Sequence, residues 1–422
     1  MAVNVLVFPC GSENASEIHQ ALMHSIHVRL FGASSVDDHG RQLFDSYNGN
    51  LPRIDDERFD QAFAALLDDW QIDLVFATHD TVQAYLSERI ERFGVALVNG
   101  DPQTCALARR KSATYAAFAD QPWVPAVYAS PEDVEQWPAV VKPDLGQGGQ
   151  GFERVADAQE ARAALERTHL PLLVEYLPGE EVTVDCFSDF QHELRWVGPR
   201  NRERVRAGIS MRSTFPAPDP AIAAIAATLN KRLRLRGPWF FQLKRDRQQR
   251  WKLLEISCRV AGSMVAQRAL GVNLPLMAIH DHLQRRVTPL PQTAVNLIER
   301  RILTVAQLDW AFDTVYIDFD ETVIRDGRAI PSTLHFLYRM QGKGKRLVLL
   351  TRHASDPRDT LRKARIAAEL FDEIIHITDG RAKSEFVRGH SIFIDNHFPE
   401  RLDVATHCAI PVFDVDALEF LS

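Results

Sequence analysis

The sequence predicts an α/β protein built from successive α/β, α+β and α/β parts, and three observations carry that prediction. Short β-branched runs alternate with helical stretches over roughly the first quarter of the chain. A glycine-rich loop followed by paired strands occupies the middle, and an apolar strand near the C-terminus ends in two closely spaced aspartates. A chain of 422 residues has room for two to three domains, and 45% hydrophobic with 25% charged residues is an ordinary globular composition. The formal charge of −7 argues against nucleic acid as the main partner, which would want a basic stripe; the arginines from Arg200 to Arg206 read as a local anion-binding or solvated face. Five scattered cysteines with no CxxC spacing fit a reducing cytoplasm. The opening MAVNVLVFPCGS lacks a basic start and is too short to span a bilayer, so it reads as a first strand, and no membrane association is expected. His280 and His282, two apart on a predicted helix, do not share a face and read as surface residues rather than a metal pair.

Taken in order, VNVLVF, HVRLFGA, IDLVFATHD and VALVNG alternate with helical segments, the pattern of a parallel α/β sheet. The turn Gly11 to Asn14 after the first run falls where such a sheet would contact a small molecule, but without GxGxxG no dinucleotide is expected there. PAVVKPDLGQGGQGF then gives a strand, Lys142, and a loop with Gly146, Gly148, Gly149 and Gly151. Glycines let backbone N–H groups approach phosphate oxygens, and the lysine adds a cation. LLVEYLPGEEVTVDCF reads as strand, turn at Pro178-Gly179, and strand. Backbone groups of Glu175, Tyr176 and Leu177 would read the edge of an adenine, and Glu181 would accept from ribose hydroxyls. GPWFFQLKRD with Gln242 and WKLLEISCRVAGSM with Glu255 and Arg259 form an apparent hairpin, whose side-chain oxygens can share a metal. Between LLVEYLPGEEVTVDCF and this hairpin, RERVRAGISMRSTF reads as a loop in which Arg202, Arg204, Arg206 and Arg212 either clamp an anionic substrate or form a solvated charged face.

From about Ala106 to Leu274 these segments together resemble the ATP-grasp superfamily, most closely the branch with the carbamoyl-phosphate synthetase large subunit and the carboxylate-amine ligases. That resemblance implies ATP and Mg²⁺. Lys111 and Lys142 would hold phosphates, Gln242 and Glu255 the metal, and Arg259 the γ-phosphate or an acyl phosphate. The family usually has asparagine two residues after the metal glutamate, whereas this chain has Ser257, a smaller ligand that implies a weak or water-mediated second metal contact. In motif order around RERVRAGISMR and EISCRV the chain is also similar to a carbamoyl-phosphate-synthetase-like group that accompanies tellurite-resistance operons.

VYIDFDET, from Val315 to Thr322, carries Asp318 and Asp320 to the carboxyl end of a buried strand, where one carboxylate can attack while the other moves protons. RLVLLTR ends a second strand at Thr351, whose hydroxyl suits a phosphoryl oxygen, Lys383 would neutralise charge, and SIFIDN ends a third strand at Asp395, a Mg²⁺ carboxylate. The four motifs resemble, in order, those of the haloacid dehalogenase (HAD) phosphatases. That likeness implies a Rossmann-like domain in which Asp318 is the nucleophile, Asp320 the general acid and base, and Thr351 and Lys383 the phosphoryl binders. Asp318, Asp320 and Asp395 would form the Mg²⁺ site. Between Thr322 and Thr351 there is room for one crossover helix and no large cap.

The expected organisation is a pre-ATP-grasp α/β domain over 1–112, an ATP-grasp domain over 113–308 and a HAD-like domain over 309–422. Arg285 to Asp313 would serve as a connector with a short strand. The combination implies an ADP-forming ligase joining a carboxylate to an amine, fused to a phosphomonoesterase acting on a related small phosphoester. Two alternatives stand beside it: an ATP-grasp module that binds nucleotide and regulates the phosphatase, and a ligase carrying an inactive HAD scaffold. An exposed sheet edge or apolar helix face is compatible with a homodimer.

Overall fold

In the computed structural model, which describes residues 2–146, 151–206 and 208–421, the run VNVLVF forms β1 (Val3–Phe8). It is flanked on both sides by parallel neighbours, which is why nearly all of it is apolar. With β2 (Val28–Ala33), β3 (Ser46–Asn48), β4 (Leu74–Ala77) and β5 (Ala96–Leu97) it makes a parallel sheet in the order β3-β2-β1-β4-β5. The chain leaves β1 toward one edge and returns to the other, so a switch point lies beyond the carboxyl ends of β1 and β4. The helix Glu13–Leu22 starts there, capped by the Ser12 hydroxyl accepting from the Ala15 N–H at 3.2 Å. β3 has no apolar run of its own and was not expected from the sequence.

The middle of the chain builds antiparallel sheets. β6 (Val127–Tyr128), β7 (Ala139–Pro143), β8 (Glu153–Val155) and β9 (Pro171–Glu175) are arranged as β6-β9-β7-β8. After them come β10 (Glu181–Ser188), β11 (Leu194–Asn201), β12 (Arg204–Arg206), β13 (Ile209–Thr214), β14 (Gly237–Arg245), β15 (Trp251–Ser257) and β16 (Leu297–Glu299). Strands β10, β11, β14 and β15 form the sheet β11-β10-β14-β15, and the others form β12-β13-β16. Two readings change here. The strands on either side of Pro178-Gly179 belong to different sheets, so that turn passes between layers rather than closing a hairpin. The arginine-rich segment expected as a loop is the hairpin β12–β13, stabilised by pairing of β13 with β16.

These elements belong to one compact unit, Met1–Arg301; a second spans Ile302–Ser422. In the second unit β17 (Thr314–Ile317) is central in a parallel sheet. With β18 (Ile324–Arg325), β19 (Arg328–Ala329), β20 (Arg346–Thr351), β21 (Glu373–His376), β22 (Ser391–Ile394) and β23 (Val412–Phe413) defined, the sheet order is β21-β20-β17-β22-β23. The segment after Thr322 holds the expected crossover helix, Pro331–Gly342, and the small hairpin β18–β19 as well. The two faces of this sheet have their own cores, one around Phe319, Phe336 and Leu347, the other around Tyr316, Val348 and Phe393. Among the described residues no helix is long and apolar enough to cross a membrane.

Candidate active sites

In the first unit, residues just past the carboxyl ends of β1 and β4, and residues of β7, β9, β10, β11, β14 and β15, line a cavity of about 770 Å³, within the range that holds a nucleotide-sized ligand. It gathers Lys111, Lys142, Glu181, Gln242, Glu255 and Arg259. β14 and β15 place Gln242 directly opposite Glu255, and a register shift follows at Gln242/Leu243. Lys142, projecting from β7, donates to the Tyr115 hydroxyl at 2.8 Å. Burial, reinforced by the neighbouring Lys111 ammonium, lowers the pKa of Lys142 to about 7. Lys111 begins the helix Lys111–Ala117, donates to the Gly146 carbonyl at 3.3 Å and lies 3.9 Å from Glu255. Burial pushes the Glu255 carboxyl above its ordinary value despite that lysine. A buried ammonium with a depressed pKa beside two facing side-chain oxygens fits a polyphosphate carrying a divalent cation.

The other sequence candidates fall in several places. Leu177 and Glu175 line the cavity, but the Glu175 carboxylate accepts from the Ala126 N–H at 2.9 Å and lies 3.5 Å from Lys252. Tyr176 packs its ring beneath Arg154, with the guanidinium carbon 4.9 Å from the ring centre. Glu181 is shared by Arg202 at 3.0 Å and Lys244 at 3.5 Å. Gly148 and Gly149 lie outside the described residues. Ser257 gives its hydroxyl to Asp80 at 2.5 Å, and Asp80 also takes Arg259 Nη2 at 2.7 Å. Burial opposes ionisation of Asp80, but Arg259, Ser257 and Arg109 outweigh it and hold its pKa down. Asp80 was missed from the sequence, although it opens the helix Asp80–Ser87 just past β4, where the switch-point rule would have pointed. The turn Ser12 to Asn14 does line the cavity. Close packing fixes this corner, since a Cβ on Gly262 would come within 2.7 Å of Asn14 Oδ1.

In the second unit the parallel register aligns Ile317 with Ile394, so Asp318 and Asp395 leave adjacent strands side by side. Lys383 Nζ sits between them, 2.5 Å from Asp318 and 2.7 Å from Asp395, all three buried. Burial, with the adjacent Asp395, raises the Asp318 pKa to about 6 against the pull of Lys383. Burial would discharge Lys383, but the two carboxylates outweigh it and raise its pKa. Thr351 is buried, its hydroxyl accepting from the His353 N–H at 3.0 Å, and Thr322 reaches Asp318 at 3.4 Å. Asp320 lies past the end of β17, half exposed, with His353 Nδ1 at 2.9 Å from both its oxygens. The far nitrogen of that ring lies 2.9 Å from the Thr360 hydroxyl. His353 was not singled out from the sequence; its place two residues beyond Thr351 was the available signal.

Among the described residues no group of three or more His, Cys, Asp or Glu side chains is arranged to hold a metal. A cation at either site would therefore rest on two protein oxygens, Gln242 with Glu255 or Asp318 with Asp395, completed by phosphate and water, as Mg²⁺ commonly is.

Residues 168–305 match the family described as ATP-grasp in the biosynthetic pathway with Ter operon. No curated protein matches the chain. Among solved structures, the biotin carboxylase of Campylobacter jejuni in its β,γ-ATP complex is similar at TM-score 0.57 and 15% identity, covering 70% of this chain and 74% of that one. The N5-carboxyaminoimidazole synthetase of Staphylococcus aureus complexed with ADP gives TM-score 0.55 at 15% identity, covering 69% and 79%. The L-amino acid ligase of Bacillus licheniformis gives 0.54 at 17%, covering 69% and 75%. This chain therefore carries an ATP-grasp fold.

Proposed function

We propose that the protein is an ATP- and Mg²⁺-dependent, ADP-forming ligase that joins a carboxylate to an amine, and that its C-terminal unit is a HAD-type phosphomonoesterase. The observation that carries the first part is the convergence of Lys111, Lys142, Gln242, Glu255 and Arg259 on one cavity. Lys111 and Lys142 neutralise the nucleotide phosphates, Glu181 accepts from the ribose, and Arg259 orients the transferring phosphoryl group. Held by Gln242 and Glu255, Mg²⁺ would offset charge on the phosphates. A carboxylate oxygen of the acid attacks the γ-phosphorus and releases ADP; the amine then attacks the carbonyl carbon of the resulting acyl phosphate, loses a proton and expels phosphate. In the second unit Asp318 attacks phosphorus, Asp320 gives its proton to the departing alcohol, and water drawn in by Asp320 cleaves the aspartyl phosphate. Thr351 and Lys383 hold the phosphoryl oxygens. We assign the domains as 1–112, 113–308 and 309–422, and the location as the cytoplasm.

One contact favours a second reading of the first unit. Ser257 is committed to Asp80 rather than to the cavity, which fits a module that binds nucleotide without turnover and regulates the phosphatase. Both readings are tested by following ADP from ATP, over a panel of carboxylates and amines, together with phosphate release from p-nitrophenyl phosphate. The ligase reading expects acid-dependent ADP that disappears in Lys142→Ala while phosphate release survives, and phosphate release that disappears in Asp318→Asn. Nucleotide binding with no ADP from any pair would leave the regulatory reading; phosphate release unaffected by Asp318→Asn would remove the phosphatase assignment.

A further inference from the structure

Three arginines that line the cavity in the first unit, and a fourth outside that lining, carry buried guanidinium nitrogens without a hydrogen-bond partner. Among the described residues, the buried side-chain nitrogen and oxygen atoms lacking a hydrogen-bond partner are Arg200 Nη1, Arg202 Nε, Arg259 Nε and Arg300 Nη1. Arg202 Nε still has a Glu181 carboxylate oxygen 3.0 Å away; buried donors are almost always paired, so the remaining three, all guanidinium nitrogens, point to an acceptor that is brought in. Arg200, Arg202 and Arg259 line the cavity. Arg300 follows β16, donates its backbone N–H to Met211 at 2.9 Å, and interacts electrostatically with Glu13 and Arg200, both of which line the cavity.

Arg200 is the most constrained of the four. Only 1% exposed, it gives Nε to Asp185 at 2.7 Å and Nη2 to the same carboxylate at 3.2 Å. Gln267, itself buried, holds Asp185 from the other side at 3.1 Å. The fork is locked in place with Nη1 left over at the cavity wall. The helix Glu13–Leu22 starts at the same wall with Ser12, Glu13 and Asn14, adding the positive end of its dipole.

The orphan donors fall into two groups. Arg259 follows Glu255 closely and is tied to Asp80, so it serves the phosphoryl-transfer end of the cavity. Arg200 and Arg300 come from β11 and from the residue after β16, and Arg300 interacts electrostatically with Glu13, Glu17 and Arg200. We propose that the acid this cavity takes carries a second anionic group, a carboxylate or phosphate monoester, bound by Arg200 and Arg300 with Arg202 at its edge. Guanidinium suits both groups because its planar N–H fork matches paired oxygens. The identity of the first anionic group, the carboxylate to be activated, rests on the ligase reading above.

The test uses the intact protein with Mg²⁺ and a non-hydrolysable ATP analogue, reading apparent binding from ligand-induced thermal stabilisation. Two matched pairs are compared: butyrate with succinate, and glycerate with 3-phosphoglycerate. The second anion is expected to tighten binding at least tenfold in one pair, and the pair that responds tells carboxylate from phosphate. Arg300→Met should erase that preference while the stabilisation by the analogue alone stays unchanged, and Arg300→Lys should restore part of it. Arg200→Met gives an independent second variant. Equal binding of mono- and dianion in both pairs, or a preference that survives Arg300→Met, overturns the proposal. ADP formation is followed separately: a dianion preference with no ADP from any amine removes the ligase reading and leaves the subsite.

Discussion

Lys142 gives the first unit a pH signature. Its ammonium is held near pKa 7 by burial beside Lys111, and a bound polyphosphate would favour the charged form. At pH 6 the lysine already carries its proton, so nucleotide binding should take up almost none. At pH 8 it is mostly neutral and binding should take up close to one proton, with apparent affinity falling as pH rises through 7. Calorimetry of ADP binding in buffers of different ionisation enthalpy reads this number directly, and no uptake at pH 8 would show that Lys142 does not meet the phosphates. In the second unit Asp320 depends on His353, which is fixed in turn by Thr360. On the phosphatase reading proposed above, Asp320→Asn would remove the general acid and should lower kcat for phosphate release by on the order of 10²–10⁴. His353→Ala should cost a smaller part of that and reshape the pH profile with little change in KM. A kcat and pH profile identical to the parent's would show that the histidine only fills space. Neither partner relation was legible in the sequence: Asp320 and His353 obey no spacing rule, and Asp80 meets Arg259 only because the parallel sheet and β15 are packed together.

At the level of elements, legibility followed local signal. β1, β2 and β4 announced themselves as apolar runs, and the β14–β15 hairpin as two runs with a polar turn. β3 and the β12–β13 hairpin did not, because each owes its strand character to a neighbour: β3 to the edge of β2, and β13 to β16, which comes more than eighty residues later. The joint between the parallel sheet and β14 is another long-range device. Asn99, in the left-handed region at φ 54°, donates its backbone N–H to the Arg236 carbonyl at 2.9 Å, accepts the Arg236 N–H on its side-chain Oδ1 at 2.8 Å, and gives its side-chain amide to the Pro238 carbonyl at 2.5 Å. Asn99→Ala would strand a buried carbonyl and N–H and put a Cβ-bearing residue without a local partner at positive φ. The expected loss is about 2–4 kcal/mol in denaturant unfolding of the first unit. Asn99→Gly should recover roughly 1 kcal/mol of it by relieving the backbone alone. Equal stability of the two variants would assign the whole loss to the hydrogen bonds.

For the whole molecule, the consequence of two compact units with separate cores is two cooperative transitions on heating. ADP with Mg²⁺ binds the first unit on the reading proposed here, so at a concentration of about 100 times Kd it should stabilise that transition by about 2.7 kcal/mol and leave the other in place. A calorimetric scan with and without ADP separates these outcomes; a single transition that moves as one would show that the units unfold together.

On the phosphatase reading proposed above, the lysine wedged between Asp318 and Asp395 would also decide how the second unit tolerates scarcity of magnesium. Small metal-dependent domains often unravel when stripped because the ligating carboxylates then repel one another. Here an internal cation already screens that repulsion, so on that reading the metal-free form would be a resting state and not a casualty. Chelation with EDTA should silence phosphate release without lowering the melting temperature of this unit, and returning Mg²⁺ should restore activity with no refolding lag. On that reading the unit would idle through metal starvation and resume as soon as the ion returns.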